Sequence, residues 1–155
     1  MAAETNKAGD ATMLWYYTTG QELNEILSRG ELAPAAIDRE KPAVWFSANQ
    51  DWEPIANMPW RDPHGASRRL SKDQTFVMGG GLARIGVAPE TAPNDWKAFK
   101  RLSGISSKAA KEVYNTAVQS GSRPGQWFAT FETVPRQRWL AVEILEGDVW
   151  VARVE

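Results

Sequence analysis

The 155-residue chain contains no cysteine and a single histidine, His64. Without cysteine it has no disulfide, thiolate nucleophile or cysteine-ligated zinc, and one histidine does not make a multi-histidine metal site. No apolar run approaches the roughly 18 residues of a transmembrane helix, and the N-terminus MAAETNKAGDAT lacks the apolar stretch of a signal peptide. The sequence therefore predicts a cytoplasmic protein without a metal site and without membrane association.

An excess of charge of one sign is also missing, because 18 Lys and Arg side chains balance 19 Asp and Glu side chains to a formal charge of −1. Non-specific binding to nucleic acid depends on a basic field. We therefore expect no strong binding to duplex DNA. An RNA-processing transferase is disfavoured for the same reason, since balanced charge offers little to an RNA backbone.

Eight tryptophans are the most unusual feature of the composition. Such rings pack in a core and line pockets, which is the favoured interpretation here, or they form stacking platforms for sugars or bases. With 43% hydrophobic residues, the chain is long enough for one domain with its own core. We predict a single α+β domain at residues 13–155, mainly an antiparallel sheet with a few helices, after a flexible tail at residues 1–12.

The segment that opens this domain predicts a strand joined tightly to a helix. Residues 14–18 are rich in aromatic and hydroxyl side chains, which favours a strand. Thr19 and Glu22 form a capping-box pattern before apolar residues at helical spacing, and Gly30 is placed to end the helix. The sequence therefore predicts a helix from about residue 20 to residue 29.

The remaining elements are predicted from similar patterns. Residues 43–47 favour a second strand in the same sheet, and Pro54 suits the first turn of a short helix. Residues 60–73 are rich in turn formers and predict a mobile, exposed loop. The other predictions are two strands around three glycines at 75–88, helices at 94–104 (capped by Asn94) and 106–121, and an antiparallel meander from three strands at 126–134, 138–145 and 148–154.

Alternation along the first strand suggests a site. Tyr16 and Thr18 share one face of a strand, and Trp15 and Tyr17 share the other. One set packs inward, and the other lines a cleft beside the helix that begins at Thr19, whose amide groups suit an anionic ligand. An aromatic core strand with an ordinary helix cap is the alternative.

Two segments resemble a known superfamily. WYYTTGQELNEILSRGEL, at residues 15–32, resembles the opening motif of the ADP-ribosyltransferase superfamily and its RNA 2′-phosphotransferase relatives, an aromatic-His-aromatic-Thr strand followed by a helix of the form xxLxxILxxGxL. VWFSANQDWEPIA, at residues 44–56, is similar to the second motif, a strand ending in an aromatic residue and a serine that leads into a helix beneath the nicotinamide pocket. Tyr16 stands where the superfamily usually has an NAD-holding histidine or arginine, and Thr18 matches its hydroxyl residue.

The resemblance implies an ADP-ribosyltransferase-like fold and an NAD-dependent transferase that moves ADP-ribose to an unknown acceptor, such as a protein. NAD is then the substrate. The residues expected to bind it are Tyr16, Tyr17, Thr18, Trp45, Ser47 and Glu53. In this arrangement, Tyr16 and Thr18 hold a ribose of NAD, while Trp45 and Ser47 wall the nicotinamide. A capping role at the start of the short helix is the alternative for Glu53.

Such an enzyme also implies a carboxylate late in the sheet. The bond to nicotinamide breaks through an oxocarbenium-like state, and a glutamate near the ribose steadies the positive charge. Glu132 and Glu143 are the candidates, and a solvated position on an exposed strand face is the alternative for each. A different class of function stays open, a catalytically degenerate module that recognises a protein or nucleotide partner through a Trp-lined groove and the Arg-rich loop at 59–73.

Overall fold

Eleven strands and four helices make up the part of the chain that the computed structural model describes, residues 13–153. The strands are β1 (Leu14–Thr19), β2 (Glu31–Leu32), β3 (Val44–Ser47), β4 (Pro59–Arg61), β5 (Ser67–Arg69), β6 (Leu82–Val87), β7 (Asn94–Asp95), β8 (Trp127–Thr130), β9 (Val134–Pro135), β10 (Ala141–Glu146) and β11 (Val149–Ala152). The helices are α1 (Gly20–Arg29), α2 (Lys72–Gly79), α3 (Trp96–Ser103) and α4 (Ser107–Ser120). The predicted tail at residues 1–12 lies outside the described residues.

Seven strands form one sheet in the order β11-β10-β6-β1-β3-β8-β7, and every neighbouring pair is antiparallel. Strand β1 lies near its centre and pairs with β6 along its full length. The pairs β2–β9 and β4–β5 stand apart from this sheet. The predicted α+β domain with a mainly antiparallel sheet is confirmed.

Both the strand and the helix predicted at the start of the domain are confirmed, as is the placement of β1 and β3 in one sheet. Thr19 Oγ1 accepts a hydrogen bond from the Glu22 amide at 3.2 Å, and Gly30 ends α1 in the left-handed region at a φ of 77°. The Glu22 carboxylate does not complete the capping box. It accepts instead from Thr18 Oγ1 at 2.6 Å.

The corner between β1 and α1 is tight because the backbone at Gly20 meets the backbone at Gly80 and Gly81 there. The Gly20 amide donates to the Gly81 carbonyl at 2.9 Å. A Cβ added at Gly20 would lie 2.1 Å from the Gly80 carbonyl oxygen. Glycine is therefore required at residue 20 by the close approach of this second backbone.

The prediction of two strands at residues 75–88 is wrong in its first half. Residues 75–79 belong to α2, which begins with a complete capping box between Ser71 and Gln74 and ends at Gly80 in the left-handed region. The apolar residues that suggested a strand, Phe76, Val77 and Met78, are exposed on this helix. Only the second half, β6, is a strand, and all six of its residues are buried.

Three further predictions are corrected. Residues 60–69 are mostly exposed as predicted, but they form most of the β4–β5 hairpin, and residues 72 and 73 begin α2. Helix α3 is capped by Asp95, whose side chain accepts from the Ala98 amide, and not by Asn94, which lies in β7. The three late strands exist but form no meander, because β8 pairs with β3 while β10 and β11 extend the other half of the sheet beyond β6.

Both faces of the sheet are covered, so both side-chain sets of β1 are buried. Leu14 packs with Leu23 and Ile26 of α1, whereas Trp15 and Tyr17 pack in a separate cluster. A third cluster surrounds the fully buried Phe99 and contains Trp45, Trp96 and Trp127. Of the eight tryptophans, only Trp60 is exposed. Within residues 13–153, no helix combines the length and the apolar character needed to cross a membrane.

Candidate functional site

A cavity of about 460 Å³ lies between β1, β3 and α4. This volume falls within the range of small-molecule sites. The lining is mostly aromatic and apolar, and it comes from Trp15, Tyr16, Tyr17, Ile37, Trp45, Phe46, Ser47, Glu53, Ile55, Ala56, Arg69, Glu112, Val113, Thr116 and Trp127.

A buried carboxylate provides the polar part of this wall. Strand β3 ends at Ser47, and the chain then passes through residues 48–52 to Glu53, which caps a 3-10 turn at Pro54–Ala56. Ser47 Oγ donates to Glu53 Oε1 at 2.8 Å, and Ser122 Oγ donates to Glu53 Oε2. All three side chains are at most 5% exposed. Both carboxylate oxygens of Glu53 thus accept from serine hydroxyls.

Ser122 reaches Glu53 because α4 ends just before it. Gly121 ends α4 at a φ of 95°, in the left-handed region, and turns the chain back toward the 3-10 turn. Besides donating to Glu53, Ser122 Oγ accepts from the Ile55 amide at 2.9 Å. Within residues 13–153, Glu53 has no ion-pair partner. Its charge is balanced by neutral donors alone, which suits a site that receives a cation from outside.

The segment that carries Glu53 is held from the other side by Arg84 of β6. The guanidinium carbon lies 3.7 Å from the centre of a Trp15 ring and 4.6 Å from that of a Trp150 ring. Its Nε and Nη2 atoms donate to Glu143 Oε1 at 2.8 and 2.6 Å. Its Nη1 atom donates to the Gln50 carbonyl at 2.7 Å, which ties β6 to the segment that precedes Glu53.

Two aromatic side chains hold the same segment. The Tyr17 hydroxyl donates to the Asn49 carbonyl, and Trp150 Nε1 donates to the Asp51 carbonyl at 2.8 Å. Burial raises the pKa of Tyr17 to about 12, although the hydrogen bond from Arg84 opposes the shift. Tyr17 is therefore a neutral donor at physiological pH, and its hydroxyl is engaged in structure.

Tyr16 differs from Tyr17 in having no hydrogen-bond partner among residues 13–153. Tyr16 lines the cavity, and its ring packs edge-on to Phe46 with the ring centres 6.2 Å apart. Burial raises the pKa of Tyr16 to about 12, and the charge of Glu22 adds to the shift. A protonated phenol with a free hydroxyl is a hydrogen-bond donor for a ligand.

Two further donors on the wall lack partners. The indole N–H groups of Trp45 and Trp127 are buried and make no hydrogen bond within residues 13–153. Buried polar groups in folded proteins are nearly always paired. Because neither nitrogen is accessible to solvent, both are unpaired donors within the wall and do not open into the cavity.

The cavity gathers most of the predicted ligand residues but neither predicted catalytic carboxylate. Those on its wall are Tyr16, Tyr17, Trp45, Ser47 and Glu53. Thr18 is buried and bonded to Glu22, away from the wall. Glu132 is exposed just after β8, and Glu143 is bound to Arg84, so neither lines the cavity. His64 is exposed in the turn of the hairpin.

Sequence reasoning missed Ser122, Arg84 and the contribution of α4. Ser122 is 69 residues from Glu53, and Arg84 is 59 residues from Glu143. No local pattern marks a serine that meets a carboxylate so far along the chain. Arg84 carried one weak sign, a charged residue within the otherwise apolar run of β6, and such residues are rarely buried without a partner.

Metal ligation finds no support in this region, since within residues 13–153 no three His, Asp or Glu side chains are grouped so as to hold a metal ion. In comparisons with known proteins, no protein-family model, no curated protein and no solved structure matches the chain. Function is therefore inferred from the cavity.

Proposed function

We propose that the chain binds NAD as a substrate, with the nicotinamide end in the cavity, and transfers ADP-ribose to an acceptor. The observation that carries the proposal is the buried Glu53 carboxylate on the wall of an aromatic cavity. Oxidised nicotinamide is a flat ring with a positive charge, and aromatic faces together with a carboxylate stabilise such a cation.

The proposed reaction breaks the bond between ribose C1′ and the ring nitrogen. The bonding electron pair leaves with nicotinamide, which becomes neutral, and positive charge develops on the ribose. A carboxylate lowers the barrier where it lies closer to C1′ than to the nicotinamide ring, because it then interacts more strongly with the transition state than with the substrate. An atom of the acceptor then forms a bond to C1′ and releases its proton to solvent. In this proposal Glu53 stabilises the positive charge on the ribose, which is the role that the resemblance gives to Glu132 or Glu143.

A second candidate is a binding module without catalysis. It is favoured by the hydrogen bonds of the site, since both Glu53 oxygens already accept from Ser47 and Ser122 and the Tyr17 hydroxyl is bonded to Asn49. A site of this kind holds a cationic ring in the ground state and has no unused group for the transition state. Its partner would then be NAD, a related nucleotide or a protein.

Calorimetric titration with NAD, combined with a mass-spectrometric assay for released nicotinamide, tests both candidates. We expect the unaltered chain to bind NAD and to release nicotinamide. Glu53→Gln should slow the release by about tenfold or more, since removing one electrostatic stabiliser costs about 10²–10³ in rate in well-studied sites. Glu112→Gln is the matched control, because Glu112 lines the same cavity but is exposed on α4.

The outcomes separate the alternatives. Binding without release would support the module and end the enzyme proposal. No binding would remove NAD as the ligand. Loss of release in Glu132→Gln or Glu143→Gln, with Glu53→Gln fully active, would return the catalytic role to one of those two residues.

A further inference from the structure

The β4–β5 hairpin stands apart from the central sheet, since its two strands pair only with each other. All six strand residues are exposed. Its base is firmly attached, because Arg69 Nη1 donates to the carbonyls of Ile55 and Asn57 at 3.1 and 2.8 Å. The hairpin is therefore an arm attached beside the cavity, which Arg69 also lines.

Positive charge is concentrated on this arm although the chain as a whole is close to neutral. Residues 59–69 carry three arginines and one carboxylate, Asp62. Asp62 Oδ1 is occupied by the amides of His64 and Ala66, each at 2.9 Å. The Arg68 side chain makes no hydrogen bond or ion pair within residues 13–153. Its guanidinium is therefore unpaired on this surface and able to contact an anion.

The same face of the arm carries the single exposed tryptophan. Trp60 lies directly opposite Arg68 in the hairpin register, so their side chains share one face. Trp60 is 40% exposed. An aromatic ring next to an arginine provides stacking for a base and a cation for a phosphate, which is the combination found in surfaces that bind single strands.

We propose that this face of the β4–β5 hairpin binds a single-stranded nucleic acid, with a base stacked on Trp60 and a phosphate paired to Arg68. A single strand is favoured over a duplex because its bases are free to stack on a protein ring. An acidic peptide would pair with Arg68 but would leave the flat face of Trp60 unused. This proposal does not depend on whether the cavity binds NAD.

Fluorescence anisotropy of a labelled oligo-dT of about twelve nucleotides, added to the full chain at low salt, tests the proposal. We expect Trp60→Ala to weaken binding by about fivefold or more, because stacking contributes about 1–3 kcal/mol per base. Trp60→Phe should keep part of the affinity, since it retains a ring. Arg68→Ala should weaken binding and reduce the slope of log K against log salt by about 0.7.

Arg101→Ala is the matched control, because Arg101 is an exposed arginine on α3, and it should leave binding unchanged. Thermal melting of each variant confirms that the fold is kept. Absence of oligo-dT binding would overturn the proposal. It would also be overturned if Arg101→Ala weakened binding as much as Arg68→Ala, or if a poly-glutamate peptide of equal charge bound as tightly with no effect of Trp60→Ala.

Discussion

Removing the Ser122 hydroxyl should destabilise the protein far more than removing a typical serine hydroxyl. Ser122→Ala deletes a donor to the buried Glu53 carboxylate and an acceptor for the Ile55 amide. Glu53 keeps only the Ser47 hydroxyl at 2.8 Å and a long contact from the Ile55 amide at 3.5 Å. The substitution therefore weakens the solvation of a buried charge and leaves a backbone amide poorly paired.

The magnitude follows from these two losses. A hydrogen bond to a charged group contributes about 1.5–3 kcal/mol, and a poorly paired buried amide adds about 1 kcal/mol. The free energy of unfolding should fall by about 2–4 kcal/mol, a large share of the stability of an ordinary domain. For a domain of this size, that corresponds to a fall in Tm of about 5–15 °C.

Urea unfolding followed by tryptophan fluorescence measures the effect, with Ser120→Ala as the control. Ser120 lies in the last turn of α4 and donates only to the Thr116 carbonyl at 2.8 Å, in an exposed bond, so its loss should change stability by less than about 0.5 kcal/mol. A double-mutant cycle of Ser122→Ala with Glu53→Gln should give a coupling energy of about 1 kcal/mol or more. Ser122→Ala with the stability of the unaltered chain, or a cycle without coupling, would refute the idea that Ser122 holds Glu53.

Three further predictions address the ligand, the pH dependence and the β1–α1 corner. Tyr16→Phe should weaken NAD binding about threefold to tenfold with little change in melting, since one neutral hydrogen bond is lost; unchanged affinity in calorimetry would remove Tyr16 from the site. Burial acts to raise the pKa of Glu40, but backbone hydrogen bonds from Ile37 and Asp38, at 2.6 and 2.8 Å, outweigh it and hold that pKa below its ordinary value. The stabilisation that the charged Glu40 carboxylate gives to the fold is therefore complete above about pH 5 and is lost as the pH falls through the lowered pKa. Glu40→Gln should lower the free energy of unfolding in urea by about 1 kcal/mol or more at pH 7, and by nothing once Glu40 is protonated. A cost independent of pH would contradict this. Gly20→Ala should lower the free energy of unfolding by about 1–3 kcal/mol or more, because its Cβ would meet the Gly80 carbonyl. Gly125→Ala is the control and should be tolerated, since no atom lies within 4 Å of the added Cβ. Equal melting temperatures of the two variants would show that the β1–α1 corner relaxes freely.

Most elements that depend on neighbouring residues were predicted accurately from the sequence. Thr19 caps α1 and Gly30 ends it as predicted, because a side-chain cap and a left-handed glycine act within one turn of the chain. The resemblance of residues 44–56 to the superfamily's second motif pointed to Trp45, Ser47 and Glu53, which all line the cavity. Local patterns failed at residues 75–79, where an apolar run resembles a strand. The capping box of Ser71 and Gln74 favours a helix there, and the apolar side chains stay exposed.

Contacts within a few residues specify β1, α1, β3 and the turn at Glu53, so local patterns were enough to predict them. Long-range packing places β8 beside β3, closes the cavity with α4 and brings Ser122 to Glu53. It also assigned Glu143 to Arg84 and not to the cavity. These contacts join residues that are dozens of positions apart in the sequence. A buried charge needs a partner, and that partner is a residue that the fold brings close to it, which no short sequence pattern encodes.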